Sequence, residues 1–266
     1  KLRIFLSAWK GFRQAAESLI IARNTLGTKQ EIFWCFNSSY EFDQFANSMG
    51  VDQPLYAMRS LSKVCNKNEV INRHLATSYV EEILKIKASG PYILGGFCEG
   101  GKIAFYVAQI LTDLGKDVSL LCLQDQFVAQ PYSGTCAMFV TEDRRYSPLG
   151  KYHSPQWGWS KYLSGPISLI IQKISHRHLY HDDYIDGFTD LLKQEISCAQ
   201  KKERSPHFIK SRKLNRLNDV DCKVELRYKI PFFIRCNSKV SISIKVKNLS
   251  NKTIEPTSIS GVTIGN

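Results

Sequence analysis

Residues 92–114 read YILGGFCEGGKIAFYVAQILTDL, and this stretch decides the fold. It opens with a continuous apolar run, which is typical of a strand buried on both faces of a sheet. From Gly100 to Leu114, apolar side chains recur at helical spacing. Between them, Gly96-Phe97-Cys98-Glu99-Gly100 has the pattern G-x-C-x-G, a nucleophile elbow with sulfur in place of oxygen. The stretch therefore predicts a strand, a sharp turn carrying Cys98, and a helix.

The two glycines that flank the turn have a steric role. The central residue of an elbow adopts a strained backbone, so Gly96 and Gly100 must lack side chains for the strand and the helix to approach each other. The turn lifts Cys98 to the helix N-terminus, where the helix dipole and free backbone N–H groups favour a thiolate and a developing oxyanion. Cys98 is therefore the candidate nucleophile.

Apolar strands and amphipathic helices alternate on both sides of this unit. Further strands are predicted at 31–36, 54–58, 118–123, 137–140 and 167–174, and further helices at 40–49, 68–87 and 184–196. Such alternation predicts the α/β class, with helices layered on a mostly parallel sheet. We assign residues 30–200 to this domain.

The two ends of the chain differ from this pattern. Residues 1–29 are predicted to form a basic helix and linker, and residues 201–219 a polar, basic linker. Over residues 220–266, polar and apolar residues alternate, most clearly at 240–246, which favours antiparallel strands with one face in solvent. About 45 residues are too few for a complete β-sandwich, so we expect a partial immunoglobulin-like module.

The net charge of +12 lies almost entirely in the C-terminal region. Residues 201–266 contain 15 Lys and Arg against five acidic residues, which leaves +2 for the first 200 residues. No zinc-finger, helix-turn-helix or aromatic stacking pattern accompanies these basic residues, so a solvated linker is favoured over nucleic-acid binding. No apolar run approaches the roughly 20 residues of a transmembrane helix, and no signal peptide is recognisable. We expect a cytoplasmic domain without membrane contact.

The eight cysteines are scattered singly along the chain, without a C-x-x-C pair. A structural zinc site and a thioredoxin-type redox centre are therefore unsupported. Most of these cysteines, such as Cys35 and Cys122 within apolar runs, are expected to be buried, reduced thiols of a reducing compartment. Cys98 differs because of the turn on which it lies.

The stretch GPYILGGFCEGGKIAFYVAQIL at residues 90–111 resembles the core of type I thioesterase domains of nonribosomal peptide and polyketide synthases. IFWCFNSS at 32–39 and QPLYAMRS at 53–60 are similar to the first strand, oxyanion loop and second strand of that family. The resemblance covers residues 30–196. It implies an α/β-hydrolase fold that forms part of a larger multidomain polypeptide and releases acyl chains from carrier proteins.

The resemblance also implies an acid and a histidine. The family's acid follows the strand after the nucleophile helix, and Asp125 occupies that position. Glu142 and Asp143, after the next strand, are alternatives.

The histidine is expected in the loop before the final helix. There, His178 fits the spacing best, with His176 and His181 as alternatives. A zinc site made from these three histidines is disfavoured, because no cysteine or carboxylate stands at ligand spacing.

An oxyanion hole requires two N–H donors. One is expected from Glu99, directly after the nucleophile, and the other from Asn37 or Ser38 in the loop after the first strand. Many relatives have a glycine pair in that loop, which is absent here.

The segment after the acid is short for the family. Only 52 residues separate Asp125 from His178, so we expect the helical lid that relatives insert there to be absent or reduced to residues 126–135. We expect an open site with loose acyl selectivity, or one closed by a neighbouring domain. The aromatic stretch 152–162, with Trp157 and Trp159, is a candidate lining of the site or ordinary packing under a loop.

The leading hypothesis is a thioesterase that transfers an acyl or peptidyl chain from the phosphopantetheine arm of a carrier protein to Cys98. His178 would act as the base, Asp125 would orient it, and the domain itself would bind neither a cofactor nor a metal. Because an acyl-thioester reacts readily with amines, the final acceptor is water, an amine or an internal nucleophile. The alternatives are a degenerate, non-catalytic docking module and a stand-alone cysteine hydrolase of small esters.

Overall fold

The computed structural model describes residue 9, residues 11–62, 68–141 and 162–209, and the strands at 224–228 and 244–248. The chain divides into two compact units, residues 1–212 and 213–266. Among the described residues, the first unit contains eight strands: β1 (Ile21–Arg23), β2 (Ile32–Phe36), β3 (Leu55–Arg59), β4 (Tyr92–Phe97), β5 (Val118–Gln124), β6 (Cys136–Thr141), β7 (Ile167–Gln172) and β8 (Phe208–Ile209). Its described helices are α1 (Ser39–Met49), α2 (Glu69–Ile86), α3 (Glu99–Asp113) and α4 (Asp182–Lys201), with a 3₁₀ turn at His176–His178.

The eight strands form one sheet in the order β1-β3-β2-β4-β5-β6-β7-β8. Neighbouring strands from β3 to β7 are parallel, whereas β1 and β8 pair antiparallel at the two edges. This arrangement confirms the mostly parallel α/β sheet that the alternating apolar runs predict. Because parallel strands end at the same edge, the loops that follow β2, β4, β5 and β7 lie at one edge of the sheet.

Two hydrophobic clusters cover the opposite faces of the sheet. On β2, Phe33 and Cys35 belong to the cluster that includes the buried residues of α2 and α3. Ile32, Trp34 and Phe36 belong to the cluster that includes the buried residues of α1 and α4. Since successive strand residues point to opposite faces, β2 is buried on both sides, as its unbroken apolar sequence indicates.

The sequence prediction was wrong for part of the N-terminal region. Within the described residues 11–29 there is no helix, and Ile21–Arg23 instead pairs antiparallel with Leu55–Ala57 of β3. Ile20, Ile21 and Ala22 are buried, because adding a strand places this short apolar run against the core. A three-residue strand is too short to produce a recognisable period in the sequence.

The region predicted as a basic linker also contributes to the sheet, since Phe208–Ile209 pairs with β7. In the second unit, β9 (Val224–Tyr228) and β10 (Ile244–Asn248) pair antiparallel. The rest of that unit lies outside the described residues, so the immunoglobulin-like module stays a prediction. None of the helices among the described residues is long and apolar enough to cross a membrane.

Candidate active site

Cys98 lies in the turn between β4 and α3. Its backbone has φ 49° and ψ −119°, a conformation that residues other than glycine rarely adopt. A Cβ on Gly96 would lie 2.6 Å from the backbone of Gly100, and one on Gly100 would lie 2.1 Å from the carbonyl oxygen of Cys35. Any side chain at either glycine would therefore force the helix away from the sheet. The local sequence thus holds Cys98 in a strained turn at the helix N-terminus.

The Cys98 thiol is partly buried against the cluster that contains Phe97 and Tyr180. Burial raises the pKa of Cys98 to about 11, and the charges of Glu99 and Glu41 act in the same direction. A hydrogen bond from the Glu99 amide and the charge of Lys102 lower this pKa but do not outweigh the burial. The thiol is therefore protonated at neutral pH, in contrast to the thiolate that the helix dipole alone would favour, and it needs a base.

Asp125 and His176 form a buried pair directly after β5 and β7. The Nδ1 atom of His176 lies 2.8 Å from Oδ2 of Asp125, and the two side chains are only 10% and 3% exposed. Thr141 donates its backbone N–H to Oδ1 at 2.7 Å and its hydroxyl to Oδ2 at 2.6 Å. With Nδ1–H donating to the carboxylate, the lone pair of the neutral imidazole is on Nε2. This arrangement orients a base.

The histidine that contacts Asp125 is therefore His176 and not His178, which the sequence spacing favours. His178 is exposed, and its ring contacts those of His181 and Tyr184 with centroid distances of 5.1 and 6.4 Å. Residues 176–178 form a single 3₁₀ turn, in which side chains two positions apart point about 120° away from each other. Only one of the two histidines can therefore face Asp125, and distance along the sequence does not indicate which one.

The end of β5 connects the histidine loop to the nucleophile turn. The Tyr180 hydroxyl donates to Oε1 of Gln124 at 2.9 Å, and the Cys98 amide donates to the carbonyl oxygen of Gln124 at 2.9 Å. The Phe97 ring packs against the rings of His176 and Tyr180, with centroid distances of 4.6 and 5.1 Å. These contacts bring Cys98, Asp125 and His176 to the same edge of the sheet.

Sequence analysis missed the supporting residues of this site. The signals were polar residues at the ends of buried strands, namely Gln124 directly before Asp125 and Thr141 at the end of β6. Tyr180 carried no comparable signal, because a single tyrosine in a loop is compatible with many roles.

The loop after β2 contains both candidates for the second oxyanion donor. Asn37 donates its backbone N–H to Oε2 of Glu41 at 2.7 Å, so this donor is already engaged. Ser38 is the N-cap of α1, with its hydroxyl accepting from the Glu41 amide. Among the described residues, the Ser38 backbone N–H has no hydrogen-bond acceptor. Ser38 is therefore the better candidate to act with the Glu99 amide.

Several predicted features lie partly or wholly outside the described residues. The alternative acids Glu142 and Asp143, together with Trp157 and Trp159, belong to the undescribed segment 142–161. Residues 126–135 are described and contain no helix. Within the described part of the chain, no three His, Cys, Asp or Glu side chains are grouped so that they could hold a metal ion.

Residues 38–135 match the family model of the thioesterase domain, a segment that includes Cys98 and Asp125. The chain is 32% identical to the chondramide synthase of Chondromyces crocatus over 118 residues, which are 43% of this chain and 3% of that protein. It is 52% identical to a non-reducing polyketide synthase of Cercospora nicotianae over 48 residues, which are 18% of this chain and 2% of that protein. The chain thus spans only a small fraction of the curated relatives it matches.

The fold agrees with these matches. The thioesterase domain of NocB from the nocardicin cluster superposes with a TM-score of 0.55 at 16% identity, over 67% of this chain and 99% of that domain. Residues 38–135 are thus similar in sequence to thioesterase domains, and the chain shares its α/β fold with the thioesterase domain of NocB.

Proposed function

We propose that this domain releases an acyl or peptidyl chain from a phosphopantetheinyl carrier protein through a covalent acyl-Cys98 intermediate. The observation that carries the proposal is the buried Asp125–His176 pair at the same sheet edge as the strained Cys98 turn. The large synthases to which the chain is similar supply the context for a carrier-protein partner.

In the first step, Nε2 of His176 accepts the thiol proton while the Cys98 sulfur attacks the thioester carbonyl carbon. The proton must leave during the attack, because a thiol with a pKa near 11 is almost entirely neutral at pH 7. Collapse of the tetrahedral intermediate breaks the bond to the pantetheine sulfur, and His176 returns its proton to that sulfur. One thioester replaces another, so this transfer is nearly isoenergetic.

The tetrahedral oxyanion is stabilised by the amides of Glu99 and Ser38. Asp125 keeps His176 in the required tautomer and stabilises the imidazolium that forms. In the second step, His176 accepts a proton from water, an amine or an internal hydroxyl as that group attacks the acyl-Cys98 carbonyl. This releases the chain and returns the proton to the thiol.

The test is intact-mass measurement after incubation with an acyl-pantetheine thioester. We expect an adduct of the acyl mass on the unsubstituted protein and on Cys198→Ala, and none on Cys98→Ala. Cys198 is a matched control because it is partly exposed on α4, away from the turn. Adduct formation on Cys98→Ala would contradict the proposal.

The same experiment separates the proposal from its two alternatives. Equal acylation by a simple ester without the pantetheine arm would favour a hydrolase of small esters. An unsubstituted protein that forms no adduct and turns over no thioester, with Cys98 unreactive toward iodoacetamide, would favour a docking module.

A further inference from the structure

We propose that Asn37 is a positioning residue that ties the oxyanion loop to the nucleophile turn, and so fixes the spacing of the Ser38 and Glu99 amides. This role presupposes the acyl-Cys98 chemistry proposed above. Asn37 follows the last residue of β2, and its side-chain Nδ2 donates to the carbonyl oxygen of Phe97 at 2.9 Å. Phe97 directly precedes Cys98, so the bond reaches the base of the turn.

The bond lies where the regular pairing of the two strands stops. β2 and β4 are in parallel register up to the pair of Cys35 and Gly96. Each strand ends one residue further on, at Phe36 and Phe97, and β2 then continues into the oxyanion loop and β4 into the elbow. Beyond the last strand pair, the Asn37 side chain makes the next hydrogen bond that joins the two segments. These segments carry the two amides proposed to bind the oxyanion.

Ser60 fixes the orientation of the Asn37 amide. It is fully buried directly after β3, and its hydroxyl donates to Oδ1 of Asn37 at 2.7 Å. The Ser60 amide also donates to the carbonyl oxygen of Phe36 at 2.8 Å, so the hydroxyl is itself held in place. Because Oδ1 accepts from Ser60, Nδ2 is the atom that faces Phe97.

The backbone of Asn37 is fixed as well. Glu41 accepts the Asn37 N–H, and the Glu41 amide in turn donates to the Ser38 hydroxyl, so the first turn of α1 is locked to the loop. The side chain of Asn37 therefore reaches the elbow while the next amide in the chain, that of Ser38, is held for the oxyanion. An asparagine bound on both its backbone and its side chain restricts a loop that lacks the glycine pair.

Two reactions of the same sulfur distinguish this role from a purely structural one. Acylation of Cys98 by a thioester builds an oxyanion, whereas alkylation by iodoacetamide is a direct displacement that builds none. A misplaced oxyanion donor therefore slows acylation and leaves alkylation nearly unchanged. General damage to the fold slows or accelerates both.

The experiment compares the two rates for the unsubstituted protein, Asn37→Ala and Ser60→Ala, with Asn68→Ala as a matched control. The Asn68 side chain caps α2 by accepting from the Ile71 amide, a local structural role. We expect the ratio of acylation to alkylation to fall about 10- to 100-fold in Asn37→Ala, and by a smaller factor in Ser60→Ala. Asn68→Ala should keep the ratio of the unsubstituted protein.

An unchanged ratio in both Asn37→Ala and Ser60→Ala, with the unsubstituted protein acylated, would overturn the positioning role and leave the proposed function standing. An unsubstituted protein that is alkylated but never acylated would overturn both. Should Asn37→Ala fail to fold, Ser60→Ala decides, because it keeps Asn37 and removes the hydroxyl that orients its amide and that also contacts Ser62.

Discussion

Among its described residues, the first unit contains two buried carboxylates that each contact a histidine with nearly the same geometry. Asp125 and His176 are 2.8 Å apart, and Glu195 and His207 are 2.9 Å apart, in each case through Nδ1 of the histidine. Both carboxylates are almost completely buried, with side chains 3% and 2% exposed. Each pair also has a hydroxyl nearby, from Thr141 or Ser205.

The two pairs differ in which groups the carboxylate, the histidine ring and the nearby hydroxyl contact. The Ser205 hydroxyl donates to Oε1 of Glu195, the same oxygen that the histidine contacts, and also accepts the backbone N–H of His207. The serine hydroxyl and the histidine ring thus converge on one carboxylate oxygen, and the hydrogen bond from His207 to the serine oxygen comes from its backbone N–H. This cluster closes the turn between α4 and β8. Residue types alone therefore do not make a catalytic site, which requires acid, base and nucleophile in series and a strained turn that presents the nucleophile.

The largest expected contrast is between the two histidines. His176→Ala should lower the rate of Cys98 acylation by about 10³-fold or more, because the thiol loses the base that removes its proton. His207→Ala should leave that rate unchanged and lower the free energy of unfolding by about 1–3 kcal/mol, since the buried Glu195 carboxylate loses a hydrogen-bond partner. Acylation kinetics and denaturant unfolding of both variants measure the two effects. His178→Ala serves as a control, and equal losses for His176→Ala and His178→Ala would contradict the assignment.

The carboxylates provide a second contrast of similar design. Asp125→Asn should lower the rate by about 10²- to 10⁴-fold, because the amide no longer holds Nδ1–H of His176 in place. Glu195→Gln should affect only the denaturation midpoint. Steady-state turnover of an acyl-pantetheine thioester, followed by thiol release, measures the difference. Full activity of Asp125→Asn would remove the distinction between the two pairs.

A third expectation concerns the charge state of the nucleophile. Because burial raises the pKa of Cys98 to about 11, its alkylation by iodoacetamide should become roughly tenfold faster per pH unit up to about pH 10. The thiolate is the reactive form, and its fraction increases tenfold per unit below the pKa. Mass spectrometry of Cys98 over this pH range measures the rates. A rate that is constant through neutral pH would instead indicate a preformed thiolate–imidazolium pair.

The smallest expected effect comes from Glu41. Its charge raises the pKa of Cys98, so Glu41→Gln should lower that pKa and increase alkylation at pH 8 by a few-fold. Glutamine retains an acceptor for the Asn37 amide, so the loop is preserved. Glu69→Gln, which removes a charge from an exposed ion pair with Arg73, is the matched control. A slower reaction of Glu41→Gln would show that the glutamate acts on Cys98 through structure and not through charge.

The sequence predicts the fold well because buried parallel strands are continuous apolar runs. It also locates Cys98 and Asp125, since a glycine-flanked turn and an acid after a strand end are local patterns. The sequence does not identify the histidine that faces Asp125. Which side chain of the 3₁₀ turn points toward the acid depends on packing against Phe97 and Tyr180. The Glu195 cluster likewise depends on a chain reversal after α4, which no local period indicates.

The end of β5 has a mechanical consequence for the site. Gln124 binds both the Cys98 amide and the Tyr180 hydroxyl, and the next residue, Asp125, binds His176. Nucleophile, acid and base are thus all held by two consecutive residues, Gln124 at the end of one central strand and Asp125 directly after it. Thermal displacements of that strand end carry all three groups in the same direction, so the distances among them vary less than the position of any one of them.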